Sequence, residues 1–400
     1  MLITIPKDVK YIIDTFYNNG YEAFMVGGCI RDSLLKKVPM DYDIATSAPP
    51  EITQKLFKKS IPTGIEHGTI TVLINKNSYE VTTYRVEGKY SNNRKPDSVT
   101  FISNIKDDLA RRDFTINAFA YNDRKGLLDY FSGNTDLNNK IIKCVGNPDK
   151  RFKEDSLRML RAIRFSAQLN FNIDETTFSA IKSNSKSIQN ISNERIRVEL
   201  SKILLSNNAF SGLLKLENAN LLKEILPYNL NINKAIDKLE KDLASRFAFI
   251  FLKLDCSLIE TIMRNLTFDK NTINKVIHLT TAFENIKSIV SKSDCKRLII
   301  KVGNDNIFSL INLYETVTST HISNINSLVK DIFKNKDALY IKDLSITGND
   351  LISELNINPG KLLGELLNHL LNQVIDEKIS NDYNCLIKSA KQYIKNKSAS

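Results

Sequence analysis

The apolar pattern of this chain changes period once, and that change limits the folds open to it. Up to about residue 145, short apolar runs suited to strands alternate with helical stretches; beyond it, nearly every segment repeats its apolar residues at helical spacing. The chain therefore reads as an α+β first part, built on a mixed sheet with helices, followed by an all-α remainder. Pro6 to Asn19 reads as a helix ending at Gly20, where glycine suits a left-handed cap. YEAFMV (21–26), MDYDIA (40–45), TITVLI (69–74) and YEVTTYR (79–85) read as strands, the last two as a hairpin. Helices start near Gly28 and at Pro50; DFTINAFAY (113–121) reads as a buried helix and residues 149–169 as one long helix. Residues 86–100, VEGKYSNNRKPDSVT, carry neither period and read as a long loop, a feature that inside a domain usually serves function.

Composition narrows the function. A length of 400 residues with 42% hydrophobic content allows two to four domains. The excess of 56 basic over 45 acidic side chains suits a polyanionic partner such as nucleic acid, although Lys-rich solvated helix faces look the same. Cys29, Cys144, Cys256, Cys295 and Cys385 lie far apart with no paired spacing, which argues against a zinc site and a disulfide framework. The N-terminus lacks a basic stretch followed by an apolar block, and no apolar run reaches spanning length, so the expectation is a cytoplasmic protein without a membrane anchor. His278, His321 and His369 lack an adjacent Asp, against an appended metal phosphohydrolase site, and His67 reads as a hydrogen-bonded structural histidine.

The most informative stretch is V-G-G-C-I-R-D-S-L-L (26–35) followed by M-D-Y-D-I-A (40–45). Two glycines at a strand-to-helix turn let backbone N–H groups approach a phosphate, and the helix start adds its positive dipole end. Gly27 and Gly28 would form that turn, with Arg31 one turn later. On a strand, residues two apart share a face, so Asp41 and Asp43 would project together, and two hard carboxylates suit Mg²⁺. Phosphoryl transfer by two metals needs such a pair, and Glu80, flanked by Tyr79 and Val81 on the later strand, is the candidate third carboxylate. Each motif alone has a plainer meaning, a turn or a solvent-facing strand; their order and spacing carry the functional one.

G-G-x-x-R-D-x-L-L with D-x-D-I-A-T resembles the active-site signature of polymerase-β-like nucleotidyltransferases. T-G-I-E-H-G-T-I-T-V (63–72), R-R-D-F-T-I-N-A (111–118), E-D-S-L-R-M-L-R-A-I-R-F (154–165), S-N-E-R-I-R-V-E-L (192–200), L-S-I-T-G-N-D-L (344–351) and P-G-K-L-L-G-E (359–365) narrow the resemblance to the class II CCA-adding enzymes, over nearly the whole chain. The resemblance implies a nucleotidyltransferase head (1–145), a helical neck (146–205), a helical body (206–330) and a tRNA-binding helical tail (331–400). It implies addition of C, C and A to the 3′ end of tRNA from CTP and ATP with Mg²⁺, and contact of Arg112 with the incoming nucleotide. Asp113 reads as the cap of the helix that follows, touching ribose or Arg side chains.

The D-x-x-R-x-x-R-x-x-R run supports a physical account of base choice. Asp155, Arg158, Arg161 and Arg164, three apart on a helix, would form one shallow spiral stripe facing a single ligand. Asp155 offers acceptors and Arg158 donors, a pair that complements the edges of cytosine and adenine and clashes with those of uracil and guanine. The resemblance gives Asp155 and Arg158 this role and places Arg161 and Arg164 near the nucleotide, its phosphates or the helix support. Loop 86–100 is full length, unlike that of relatives adding only the two cytidines, which favours all three additions. An A-adding enzyme, a catalytically idle tRNA-binding protein and a small-molecule nucleotidyltransferase are the alternatives. Intact Asp41, Asp43, Asp155 and Arg158 speak against the second, and more than 200 residues of basic helical chain against the third.

Overall fold

A computed structural model describes residues 3–88 and 98–398. The chain divides into two compact units, Met1–Tyr228 and Asn229–Ser400. Strands β1 (Ala23–Val26), β2 (Asp43–Thr46), β3 (Ser60–Gly64), β4 (Thr69–Ile74), β5 (Asn77–Thr83), β6 (Arg85–Glu87), β7 (Val99–Phe101), β8 (Phe119–Asn122) and β9 (Gly126–Asp129) belong to the first unit. Seven of them form one mixed sheet in the order β3-β4-β5-β2-β1-β8-β9. Strand β2 runs parallel to β5, and the other neighbours are antiparallel.

The central strand β1 is buried along its whole length because both sheet faces are covered. Ala23 and Met25 join a cluster with Val9, Ile12 and Phe16 of helix α1 (Lys7–Asn18). Phe24 and Val26 point the other way, into a cluster with Tyr84, Leu109 and Ala118. The stripe Val9, Ile12, Ile13, Phe16 is what an amphipathic helix presents to a sheet, and truncating Phe16 to Ala would cost about 3–5 kcal/mol. Helices α2 (Gly28–Leu34), α3 (Pro50–Leu56), α4 (Ile105–Ala110) and α5 (Gly133–Asn138) complete this part.

Four expectations need correction. Residues 113–121 are a short 3₁₀ turn, Thr115–Asn117, followed by strand β8, which pairs with β1 through Met25↔Tyr121 and Val26↔Ala120. A strand covered on both faces shows no polar alternation, so its apolar run passed for helix. Strand β2 starts at Asp43, which leaves Asp41 on the segment before it. The ends of the 86–100 segment pair with each other as β6 and β7, and residues 89–97 lie outside the described residues. The long helix is two helices, α6 (Pro148–Glu154) and α7 (Leu157–Leu169), separated by an extended Asp155 with φ −143° and ψ 105°.

Helices α8 (Glu175–Asn184), α9 (Asn193–Leu204), α10 (Ala209–Asn218) and α11 (Leu221–Ile225) finish the first unit, with α9 and α10 packed on α7. At Gly212 a Cβ would lie 2.6 Å from Ile203 Cγ2, so glycine is what lets α10 approach α9. The second unit is helical: α12 (Leu243–Phe251), α13 (Cys256–Asn265), α14 (Lys270–Phe283), α15 (Lys292–Val302), α16 (Ile307–Thr318), α17 (Ser323–Lys334), α18 (Gly348–Leu355), α19 (Lys361–Ile375) and α20 (Tyr383–Ser398). Leu351, Leu366, Leu370 and Leu386 knit the last three together. No described helix is long and apolar enough to cross a membrane.

Candidate active site

The turn between β1 and α2 is built around Gly27, whose φ of 77° and ψ of −130° suit glycine alone among common residues. Its N–H donates to the Phe119 carbonyl at 3.1 Å, and a Cβ there would stand 2.7 Å from Arg112 Nη1. Gly28 is less constrained, since a Cβ on it would meet only Arg31 Nη2, at 3.6 Å. Asp43 opens β2 directly opposite Val26 of β1. Solvent reaches its side chain, yet the protein crowded around its carboxyl pushes the pKa up to about 6; Asp41 and Glu80 add to the shift and Arg112 opposes it. The two carboxylates that add to the shift of Asp43 mark a place short of positive charge.

Beside the aspartates lies a pocket of about 520 Å³. Gly27, Gly28, Arg31, Asp41, Asp43 and Arg112 line it from the sheet side, and Asp155, Arg158, Arg161 and Arg164 from the helical side, so it gathers every residue singled out in the sequence except Glu80. Glu80 is exposed, one residue before Val81, the partner of Ile44 in the parallel β2–β5 ladder; its charge is nonetheless felt at Asp43. A larger cavity of about 980 Å³, behind Arg111 and Glu154, brings Asp107, Asp149, Lys150 and Lys153 to its walls without a converging set of groups.

Seven arginines line the smaller pocket against four aspartates, and an acidic partner holds each guanidinium. Arg31 binds Asp32 at 2.9 Å and donates to Asn117 Oδ1 at 2.7 Å. Arg161 grips Asp113 Oδ2 through Nε and Nη2 at 2.8 and 2.5 Å, while Asp113 Oδ1 accepts from Phe114 N and Asn117 Nδ2 at 2.8 and 3.2 Å. Burial opposes ionisation of Asp113, but the charge and hydrogen bonds of Arg161 outweigh it and hold the carboxyl at about 2. Arg164 pairs with buried Glu199 at 3.2 Å, and burial lowers its pKa to about 10 despite that partner. The guanidinium carbons of Arg31, Arg161 and Arg164 stand 5.2, 5.4 and 4.1 Å from the Phe165 ring centroid. Arg112 is held most loosely, with contacts of 3.6 Å to Asp108 and 3.5 Å to the Asn117 carbonyl.

Asp155 sits at the helix break instead of on a helical stripe. Its Oδ1 accepts from the N–H of Leu157, the first residue of α7, at 3.1 Å, and its Oδ2 accepts from Arg195 Nη2 at 2.8 Å. Arg158 is fixed alongside, donating from Nη1 to Glu154 at 2.9 Å and from Nη2 to the Arg111 carbonyl at 3.0 Å. A carboxylate and a guanidinium are thus held side by side with donors and acceptors to spare. Arg195, Asn117, Phe165 and Glu199 were not singled out as site residues from the sequence. All four fall within quoted motifs, but the pairings of Arg195 and Glu199, 40 and 35 residues long, have no local signature.

Residues 23–143 match the Poly A polymerase head domain, 170–230 a probable RNA and SrmB-binding site of polymerase A, and 241–390 the putative tRNA nucleotidyltransferase domain 2. The CCA-adding enzyme of Ligilactobacillus salivarius is 37% identical over 416 residues, covering 98% of each chain. The chain belongs to the CCA-adding enzymes. Another CCA-adding enzyme, from Staphylococcus haemolyticus, is 33% identical over 97% of this chain and 98% of its own. The crystal structure of the Bacillus stearothermophilus CCA-adding enzyme in complex with CTP superposes with a TM-score of 0.84 at 26% identity, covering 99% of this chain and all of that one. The α+β nucleotidyltransferase head followed by helical domains, expected from the sequence, is the architecture of this CCA-adding enzyme family member.

Proposed function

We propose that this chain adds C, C and A, without a nucleic-acid template, to the 3′ end of tRNA from CTP and ATP, releasing pyrophosphate. The observation that carries the reading is the single pocket in which the Asp41–Asp43 pair, the Gly27 turn and the Asp155–Arg158 pair face one another. Asp41 and Asp43 are the groups we assign to Mg²⁺. The hard oxygen donors suit that ion, and a divalent cation would offset both the burial that chiefly raises the pKa of Asp43 and the nearby charges of Asp41 and Glu80 that add to it. Bound there, Mg²⁺ would favour ionisation of the attacking 3′ hydroxyl and offset charge on the triphosphate. Glu80 is assigned to the same acidic group, supported by its electrostatic reach to Asp43.

The triphosphate would lie against the Gly27–Gly28 turn with Arg31, and Arg112, loosely held over Gly27, would turn towards it. Asp155 would accept from the exocyclic amino group of C or A while Arg158 donates to the adjacent ring nitrogen; U and G present the opposite order. Arg195 and Glu154 keep those two side chains from rotating to suit a wrong base. Arg161 and Arg164 support the wall, tied to Asp113 and Glu199. Five free cysteines suit a reducing cytoplasm, where we place the reaction.

The test is incorporation by the full chain with Mg²⁺ and labelled CTP or ATP on tRNA transcripts ending before CCA, after the first C, or after CC. CTP addition to the two shorter ends and one ATP addition to the third establishes the reading. ATP on the CC end alone makes it an A-adding enzyme, and no incorporation on any end leaves an RNA-binding protein.

A further inference from the structure

Between α2 and β2 the chain runs Lys36-Lys37-Val38-Pro39-Met40 directly into Asp41. The segment is anchored at both ends. Lys36 takes a left-handed φ of 58°; its N–H donates to the Ser33 carbonyl at 3.0 Å, and that of Lys37 to the Asp32 carbonyl at 2.8 Å. On the far side Asp43 enters the β1–β2 ladder. This short anchored bridge displays Met40 at 100% and Val38 at 89% exposure. The exposed side chains of Lys36 and Lys37 have no acidic partner among the described residues. A single exposed apolar side chain is ordinary. Two of them, beside two unpaired cations and immediately before a pocket carboxylate, form a surface with a defined chemical complement: an unstacked flat ring carrying phosphates.

We infer that Lys36–Met40 seats the 3′ end of the RNA, with its last base across Met40 and Val38 and its phosphates against Lys36 and Lys37. The inference rests on the reading that the Asp41–Asp43 pocket extends RNA ends. If the incoming nucleotide fills that pocket, the attacking hydroxyl must reach Asp41 and Asp43 from chain lying outside it. Met40 adjoins Asp41 yet does not line the pocket, which is where such an end would rest. The chemistry also suits a terminus whose base changes at every round. A polarisable thioether meets the face of any base, whereas contacts to base edges would have to be remade each time.

The test uses the full chain and an acceptor-stem minihelix, so that contacts made further along a whole tRNA do not mask the local one. For the double variant Val38→Ser/Met40→Ser, KM for the minihelix should rise about 5- to 10-fold while KM for CTP stays within twofold. For Lys36→Ala/Lys37→Ala, the dependence of log(kcat/KM) for RNA on log salt should become shallower by about 1.4, the share of two single-strand phosphates. Unchanged KM and unchanged slope overturn the inference, as does a KM for CTP that rises in step. If the unaltered chain incorporates nothing, the parent reading fails by itself. Titration of a minihelix labelled at its 3′ end then still decides this one, because equal Kd for Met40→Ser and the unaltered chain overturns it.

Discussion

Replacing Asp113 by Asn changes one oxygen to an amide nitrogen, and the structure fixes what that must do. Asp113 Oδ1 accepts from Phe114 N and Asn117, while Oδ2 accepts both Arg161 donors. An amide has one accepting end, so Asp113→Asn either faces Arg161 with a second set of donors or turns that set onto Phe114 N. The depression of the Asp113 pKa from 3.8 to about 2 corresponds to roughly 2.5 kcal/mol at about 1.4 kcal/mol per unit. Breaking a buried pair gives about 3–5 kcal/mol, which the 33% exposure of Arg161 brings down to a similar figure. Because the folded-state pKa is depressed, this stabilisation is fully present above pH 3.8 and is lost as pH falls through 2. The chain has no tryptophan, so urea unfolding is best followed by far-UV circular dichroism. The variant should lose about 2–3 kcal/mol at pH 7, with the gap from the unaltered chain constant down to pH 5 and narrowing below 4. A loss under 0.5 kcal/mol, or a gap that widens in acid, would refute the reasoning.

Other expected outcomes follow from the same geometry. Asp43, with its pKa raised to about 6, must give up its proton to hold a cation, so at limiting Mg²⁺ incorporation should fall about tenfold per unit below pH 6. Excess Mg²⁺ should move that limb to lower pH, and a limb near pH 4 indifferent to Mg²⁺ would contradict the assignment. Glu80→Gln should raise the Mg²⁺ concentration for half-maximal rate while leaving rejection of UTP and GTP intact; an unchanged Mg²⁺ titration removes Glu80 from the acidic group. Gly27→Ala places a methyl 2.7 Å from Arg112 Nη1 at a φ of 77°, and should cost about 1–2 kcal/mol of stability and at least tenfold in kcat/KM for CTP, read by urea unfolding and steady-state kinetics. Arg195→Ala frees one side of Asp155 and should raise misincorporation of UTP more than it slows CTP addition, as competition assays would show.

Much of the fold and site was legible because its signals are local. The stripe Val9, Ile12, Ile13, Phe16 and the Gly20 stop declare α1 within a dozen residues, and the Gly27 turn and Asp41–Asp43 pair lie within seventeen. What escaped depended on partners distant in sequence. Phe119–Asn122 is a strand because β1 and β9 flank it in the sheet. Asp155 breaks a helix where its carboxylate accepts from Leu157 N and from Arg195, a partner 40 residues away. Asp41 falls short of β2 because the ladder with β1 ends at Val26↔Asp43. Glu80 was placed by its strand context, which fixes the side of the sheet it occupies but not its distance from a pocket.

The pairing of β1 with β8 also bears on how the chain is made. Tyr121 leaves the ribosome ninety-six residues after its partner Met25, an interval of about 5–20 s at ordinary rates of synthesis. Throughout it, one edge of β1 has no strand beside it, although Phe24 and Val26 are among the most apolar positions of the sheet. A nascent chain paused before residue 119 would therefore display an open, sticky strand edge, an opportunity for a chaperone and a hazard for aggregation. Slow codons placed before β8 should lower the yield of folded protein more than the same codons placed after β9.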